Sequence, residues 1–119
     1  MRKIALAFCL ALVAAGPVGA QQFTEQRNVV KHMVDAAMLQ EHCPDWQVDT
    51  QALGLMMTFW GVNAADIERG GRYEAFATGH AAENMIAFRD LAPEHACMMA
   101  ELLFGPKGGN VPNLMHRRD

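Results

Sequence analysis

Apolar residues recur at intervals of three and four along most of this chain, and few stretches alternate. Val30, Met33, Val34, Ala37 and Met38 form one such stripe, the spacing that places side chains on one face of an α-helix. Thr24 is a suitable N-cap for that helix, and Pro44 ends it just after Cys43. Asp49 or Thr50 caps a second helix, QALGLMMTFW, which stops at Gly61. Leu53, Leu55, Met56, Met57, Phe59 and Trp60 make it apolar nearly all round, and a helix of that kind is expected at the centre of a bundle.

Asn63 caps the following segment, whose stripe is Tyr73, Ala77, Ala81, Met85 and Phe88. Gly70-Gly71 interrupts it, a pair disfavoured in a helix by roughly 2 kcal/mol relative to alanine, so a kink or break is expected there. Pro93 opens the last helix, with Glu94 near its positive end. Ala96, Cys97, Ala100, Leu103 and Phe104 line one face, and Gly105-Pro106 stops it. The remainder is a Gly/Pro loop and a short apolar patch, Val111, Leu114 and Met115, expected to dock on the helices. The predicted fold is all-α, a small bundle of four to five helices.

The N-terminus has a different pattern. Arg2 and Lys3 precede a nearly unbroken apolar run from Ile4 to Ala15, then Gly16-Pro17 and Val18-Gly19-Ala20. That is the layout of a secretory signal peptide cleaved after Ala20, with a run too short for a transmembrane helix. Cys9 follows the bulky Phe8, which does not fit a lipid-anchor signal. The expected organisation is a signal peptide over 1–20 and one helical domain over 21–119, secreted or periplasmic. No transmembrane anchor is expected in the mature chain, because no later apolar run reaches the roughly 18 residues needed to span a bilayer.

Cleavage removes two of the 10 basic residues and leaves all 13 acidic ones, a net charge of −5 with neutral histidines. No basic stripe is interleaved with aromatics, so no nucleic-acid partner is expected. The closing His116-Arg117-Arg118 reads as a solvated terminus.

Cys43 and Cys97 are then the two remaining cysteines. An even count in a small secreted domain reads as a disulfide, here tying the end of the first helix to the start of the last. The competing reading is a Cys2His2 metal site made with His42 and His95. Adjacent residues on a helix point about 100° apart, and a spacing of two is worse, so the disulfide is preferred and no metal or cofactor is expected. There is no C-x-x-C redox pair.

Eight methionines remain in the mature chain: Met33, Met38, Met56, Met57, Met85, Met98, Met99 and Met115. Thioethers with histidine bind Cu(I), but several fall on core stripes, where methionine is a flexible filler. Catalytic groups are scarce. The chain has no serine and four threonines, Thr24, Thr50, Thr58 and Thr78, so no activated nucleophile is evident. His32 with Asp35, opposite the apolar stripe, reads as a solvated face. His80 with Glu83 lies nearer a buried face, where a hydrogen-bonded core histidine is expected.

The late helix C-x-x-A-x-x-L-x-G, formed by Cys97, Ala100, Leu103 and Gly105, is followed by VPNLMHR. With the signal peptide and early cysteine, it resembles small secreted all-helical proteins of α-proteobacterial type whose function is uncharacterised. The layout also resembles small acid-stress periplasmic chaperones that carry one disulfide between distant cysteines, without their high lysine content. The resemblance implies a periplasmic helical domain and no particular activity. The expected role is non-enzymatic, through protein-protein contact; the alternatives are an acid-responsive chaperone and a small-ligand or copper carrier using Met and His side chains.

Overall fold

The computed structural model describes residues 2–119, with side chains described from Gln22 onward. Five helices and one two-stranded sheet follow in the order α1 (Arg2–His42), β1 (Trp46–Val48), α2 (Thr50–Trp60), α3 (Ala64–Ile67), α4 (Glu74–Ala87), α5 (Pro93–Phe104) and β2 (Met115–Arg117). The chain is therefore mostly helical, as expected. The expected signal peptide over 1–20 and its cleavage after Ala20 lie outside the residues with described side chains.

Thr24 does not start a helix; α1 passes through it. No glycine or proline occurs between Gln22 and His42, so nothing there forces the extended backbone that an N-cap requires. The buried arc of α1 is also wider than one stripe. Val29, Val30, Ala36 and Leu39 are fully or almost fully buried, whereas Ala37 is exposed. The reason is that α1 takes the central place, with α2, α4 and α5 all packed against it.

That arrangement corrects the position expected for α2. Its inward stripe of Leu53, Met56, Met57 and Trp60 is only partly buried, and none of its residues is fully buried. Leu55 and Phe59 face outward, 68% and 78% exposed. One helix fills the middle of a bundle this small, and the longer α1 does so. The ends of α2 follow local chemistry: Asp49 accepts a hydrogen bond from the Ala52 N–H at 2.9 Å. Gly61 closes it in the left-handed region at φ 72°, where a Cβ is disfavoured.

The Gly70-Gly71 pair breaks the third segment. Asn63 starts the short α3, its N–H donating to Asp66 Oδ2 at 2.8 Å. Gly70 then turns at φ 83°, and a Cβ on Gly71 would overlap the carbonyl oxygens of Ala65 and Asp66. The stripe expected on α4 holds at Tyr73 and Phe88, which are buried, and fails at Met85, which is 66% exposed. Asn84 takes the inward position instead.

Strand signals were weak, and β1 and β2 form because of the tail. They pair antiparallel in the register Trp46↔Arg117, Gln47↔His116 and Val48↔Met115. Asp49 N–H to Leu114 O and Arg118 N–H to Asp45 O, each 2.8 Å, flank the ladder. The pairing docks Leu114 and Met115 into the main core beside Leu39, Trp46, Ala100 and Phe104. A second cluster joins Val29 and Val30 to Val62 and Tyr73.

Candidate functional site

Cys43 and Cys97, each preceded by a histidine within two residues, converge. Cys43 and Cys97 form a disulfide, with Cα atoms 5.0 Å apart, between the end of α1 and the first turns of α5. Their neighbouring histidines do not join them. His42 Nδ1 lies 2.9 Å from the Met38 carbonyl oxygen, and its ring meets Phe88 edge-on at 5.9 Å. His95 is exposed. Among the described residues no group of three or more His, Cys, Asp or Glu side chains is placed to hold a metal ion. Met115 and His116 fall on opposite faces of β2, the first buried and the second exposed.

The principal polar cluster lies between α1 and α4. Asp35 Oδ1 lies 2.6 Å from His80 Nε2 and accepts a hydrogen bond from Asn84 Nδ2 at 2.7 Å. Asp35 is thus turned inward, contrary to the solvated face expected for His32 and Asp35. His80 matches the hydrogen-bonded core histidine expected of it. Because Asp35 is the acceptor, Nε2 carries the ring proton, and Nδ1 faces Glu83 at 3.7 Å. Phe76 stacks on the imidazole, with ring centroids 6.5 Å apart and planes 8° apart. The Arg27 guanidinium lies over the other ring partner, 4.4 Å from the Phe76 centroid.

A carboxylate-oriented imidazole is half of an acid-base device, but it needs a reacting group. Thr78, two residues before His80, points to the opposite side of α4 and is exposed. Cys43 and Cys97 are consumed in the disulfide. What the cluster does is hold α1 and α4 together. Two polar residues four apart, His80 and Asn84, within an apolar stripe were the signal for a buried network; the acceptor across from them had no such signal.

A second network, which no spacing pattern in the sequence marks, is built on a glutamine of α1. Gln26 is buried on α1, accepts the Tyr73 hydroxyl at 2.5 Å and donates through Nε2 to the Trp60 carbonyl at 3.0 Å. One amide thereby fixes the end of α2 and the start of α4 to α1.

His32 is the unbalanced group. Among the described residues its buried Nδ1 has no hydrogen-bond partner, and its ring meets Phe104 edge-on at 6.2 Å. It lines a hollow between α1, α2 and the tail together with Met56, Trp60 and Val111. Burial holds its pKa below the ordinary 6.5, partly offset by Asp35 and Glu25.

The remaining candidate is the outward face of α2. Gln51, Gly54, Leu55, Thr58 and Phe59 are all exposed, and no residue of α2 carries a charge. Among the described residues no helix is long and apolar enough to cross a membrane. Comparison with known proteins finds no matching family model, no matching curated protein and no matching solved structure.

Proposed function

We propose that this is a non-enzymatic periplasmic protein that works through protein-protein contact, with the outward face of α2 as its contact surface. The observation that carries the reading is the exposure of Leu55 and Phe59, 68% and 78%, side by side on a helix without charge. Single exposed apolar residues are ordinary. A leucine and an aromatic ring four residues apart on one uncharged helical face form a contact patch instead. Secretion is supported by the N-terminal pattern and by the Cys43–Cys97 disulfide, a bond that persists in oxidising compartments.

The test is photo-crosslinking in the producing cell, with benzoylphenylalanine replacing Phe59 and, as a control, replacing Glu94 on α5. The reading expects discrete protein adducts from position 59 that are missing from position 94. If position 59 yields no protein adduct, α2 is not a contact surface.

One observation favours a second reading, an acid-responsive chaperone. His32 sits where α1, α2 and the tail meet, and its buried Nδ1 has no partner among the described residues, so its protonation loosens the packing that holds α2. On that reading acid releases the apolar inner side of α2 toward unfolded clients, and a client-aggregation assay at pH near 4 distinguishes it from constitutive contact.

A further inference from the structure

We infer that Met85 and Met98 are the sites at which peroxides modify this protein, and that the native fold takes up one oxygen atom at each and stays intact. The inference goes beyond the contact reading and does not depend on it.

Exposure divides the methionines. Met85 on α4 and Met98 on α5 are 66% and 51% exposed, whereas Met33, Met38, Met56, Met57 and Met99 are half-buried and Met115 is fully buried. The division has its cause in the fold. Asn84 takes the inward place on α4 to reach Asp35, which turns Met85 out. On α5 the inward places belong to Ala96 and Ala100, and Met98, two residues from each, falls on the opposite side. Single exposed apolar residues are ordinary, but these two are thioethers that an oxidant reaches directly from water.

Packing is the second observation. Met38, Met56, Met57, Met99 and Met115 each belong to or pack against a core cluster, and Met85 and Met98 do neither. A core methionine is a flexible filler, and its conversion to a polar sulfoxide disrupts the packing around it. Met85 and Met98 fill no gap, so a sulfoxide there only makes an exposed side chain more polar. Helix propensity does not call for methionine at either place, since lysine, glutamine and glutamate serve as well.

A third observation concerns competition. An accessible thiolate is a ready target for a peroxide. Cys43 and Cys97 are joined, and Cys9 falls in the expected signal peptide, so the folded domain offers no thiol ahead of its thioethers.

The step itself is an oxygen transfer. The sulfur lone pair attacks one peroxide oxygen and the O–O bond breaks. Sulfur keeps that oxygen as the sulfoxide and is oxidised by two electrons. The other oxygen leaves as water or an alcohol, taking the proton of the transferred oxygen. Return to the thioether needs a dithiol, which removes the oxygen as water and becomes a disulfide. With its own two cysteines already joined, the domain relies on a separate thiol-dependent sulfoxide reductase for that reaction.

Titration of the purified protein with hydrogen peroxide, followed by peptide mapping and by melting temperature, is the test. The first two oxygen atoms, a gain of about 32 Da, should fall on Met85 and Met98. They should move the melting temperature by no more than about 4 °C, the scale of an ordinary surface change. Each further oxygen, on an inward methionine, should lower it by about 8 °C or more. Met85→Leu combined with Met98→Leu should keep the melting temperature and abolish the early two-oxygen phase, whereas Met56→Leu should leave that phase in place. Mapping reads each methionine by itself, so the result is the same whether or not the chain is cleaved after Ala20. First oxygens on Met33, Met56, Met57 or Met99, or a fold that melts early once Met85 and Met98 are oxidised, overturn the inference.

Discussion

His80 Nε2, on α4, lies 2.6 Å from Asp35 Oδ1, on α1, with both side chains largely buried at 12% and 17% exposure. The same carboxylate oxygen accepts Asn84 Nδ2. A carboxylate can be kept out of water only if its lone pairs find donors, and these two donors come from one face of α4. The pair thereby fixes the rotation of α4 against α1, which is why Asn84 turns inward and Met85 outward.

Removing the shared acceptor should therefore destabilise the fold more than removing either donor. Asp35→Ala leaves two largely buried donors unpaired, each costing roughly 1–3 kcal/mol, so a loss of about 2–6 kcal/mol is expected in urea unfolding. Asp35→Leu combined with His80→Leu and Asn84→Leu should recover part of that loss, since an apolar replacement of a whole network leaves nothing unsatisfied. A loss below about 0.5 kcal/mol for Asp35→Ala, the scale of ordinary surface substitutions, would show that the cluster is not structural.

The disulfide gives a second expectation. It closes a separation of 54 residues, for which loop entropy gives about 4 kcal/mol of stabilisation. Cys97→Ala should lower the melting temperature by more than about 15 °C. Protein cleaved after Ala20, which loses Cys9, should show no titratable thiol under native conditions without reductant. Two reactive thiols would mean that the cysteines remain unpaired.

Most local signals act where the sequence carries them, Thr24 being the exception because α1 runs through it. Asp49 caps α2, Gly61 ends it, Gly70-Gly71 breaks the helix and Pro93 opens α5 because each effect is settled by the residue itself and its immediate neighbours. The Cys43–Cys97 pair was legible from the count of cysteines. The orientation of α2 was not, because a helix apolar all round does not state which side its neighbours take. Asp35 was misplaced for a related reason: at His32-Asp35 the spacing within α1 identifies one face, while burial is decided by where α4 and the tail come to rest. The short sheet escaped notice because its three-residue strands, Trp46–Val48 and Met115–Arg117, are too short for alternation to show.

The exposure of α2 makes a third prediction, on stability alone. Phe59→Gln would be severely destabilising in a helix at the centre of a bundle, by about 3–5 kcal/mol for loss of a core aromatic. With Phe59 78% exposed, the expected change in the monomer is within about 0.5 kcal/mol. Trp60→Ala on the inward side should cost clearly more, since Trp60 packs on the Val29 and Val30 cluster and its carbonyl is fixed by Gln26. Urea unfolding of both variants at low concentration checks this, and equal losses would contradict the placement of α2.

Acid should act first through His32. Its ring is half-buried, meets Phe104 edge-on and lines a hollow with Met56, Trp60, Val111, Asn28 and Asn110, and burial lowers its pKa below 6.5. The charged groups that bear on it are Glu25, Lys31 and Asp35 of α1 and His80 of α4; α2, α5 and the tail offer it no charge in that hollow. Above about pH 6.5, the ordinary value, the ring is neutral in both folded and unfolded chains and contributes no pH dependence. As the pH falls below that value the unfolded chain takes up the proton first, so stability declines with falling pH. The decline stops once the folded form is protonated as well. His32→Phe should therefore flatten the fall in melting temperature between pH 7 and pH 5, and reduce acid-induced binding of a hydrophobic dye if the inner side of α2 is what acid uncovers. An unaltered slope in His32→Phe would place the acid response elsewhere, in the carboxylates, and would remove the observation that favours the chaperone reading.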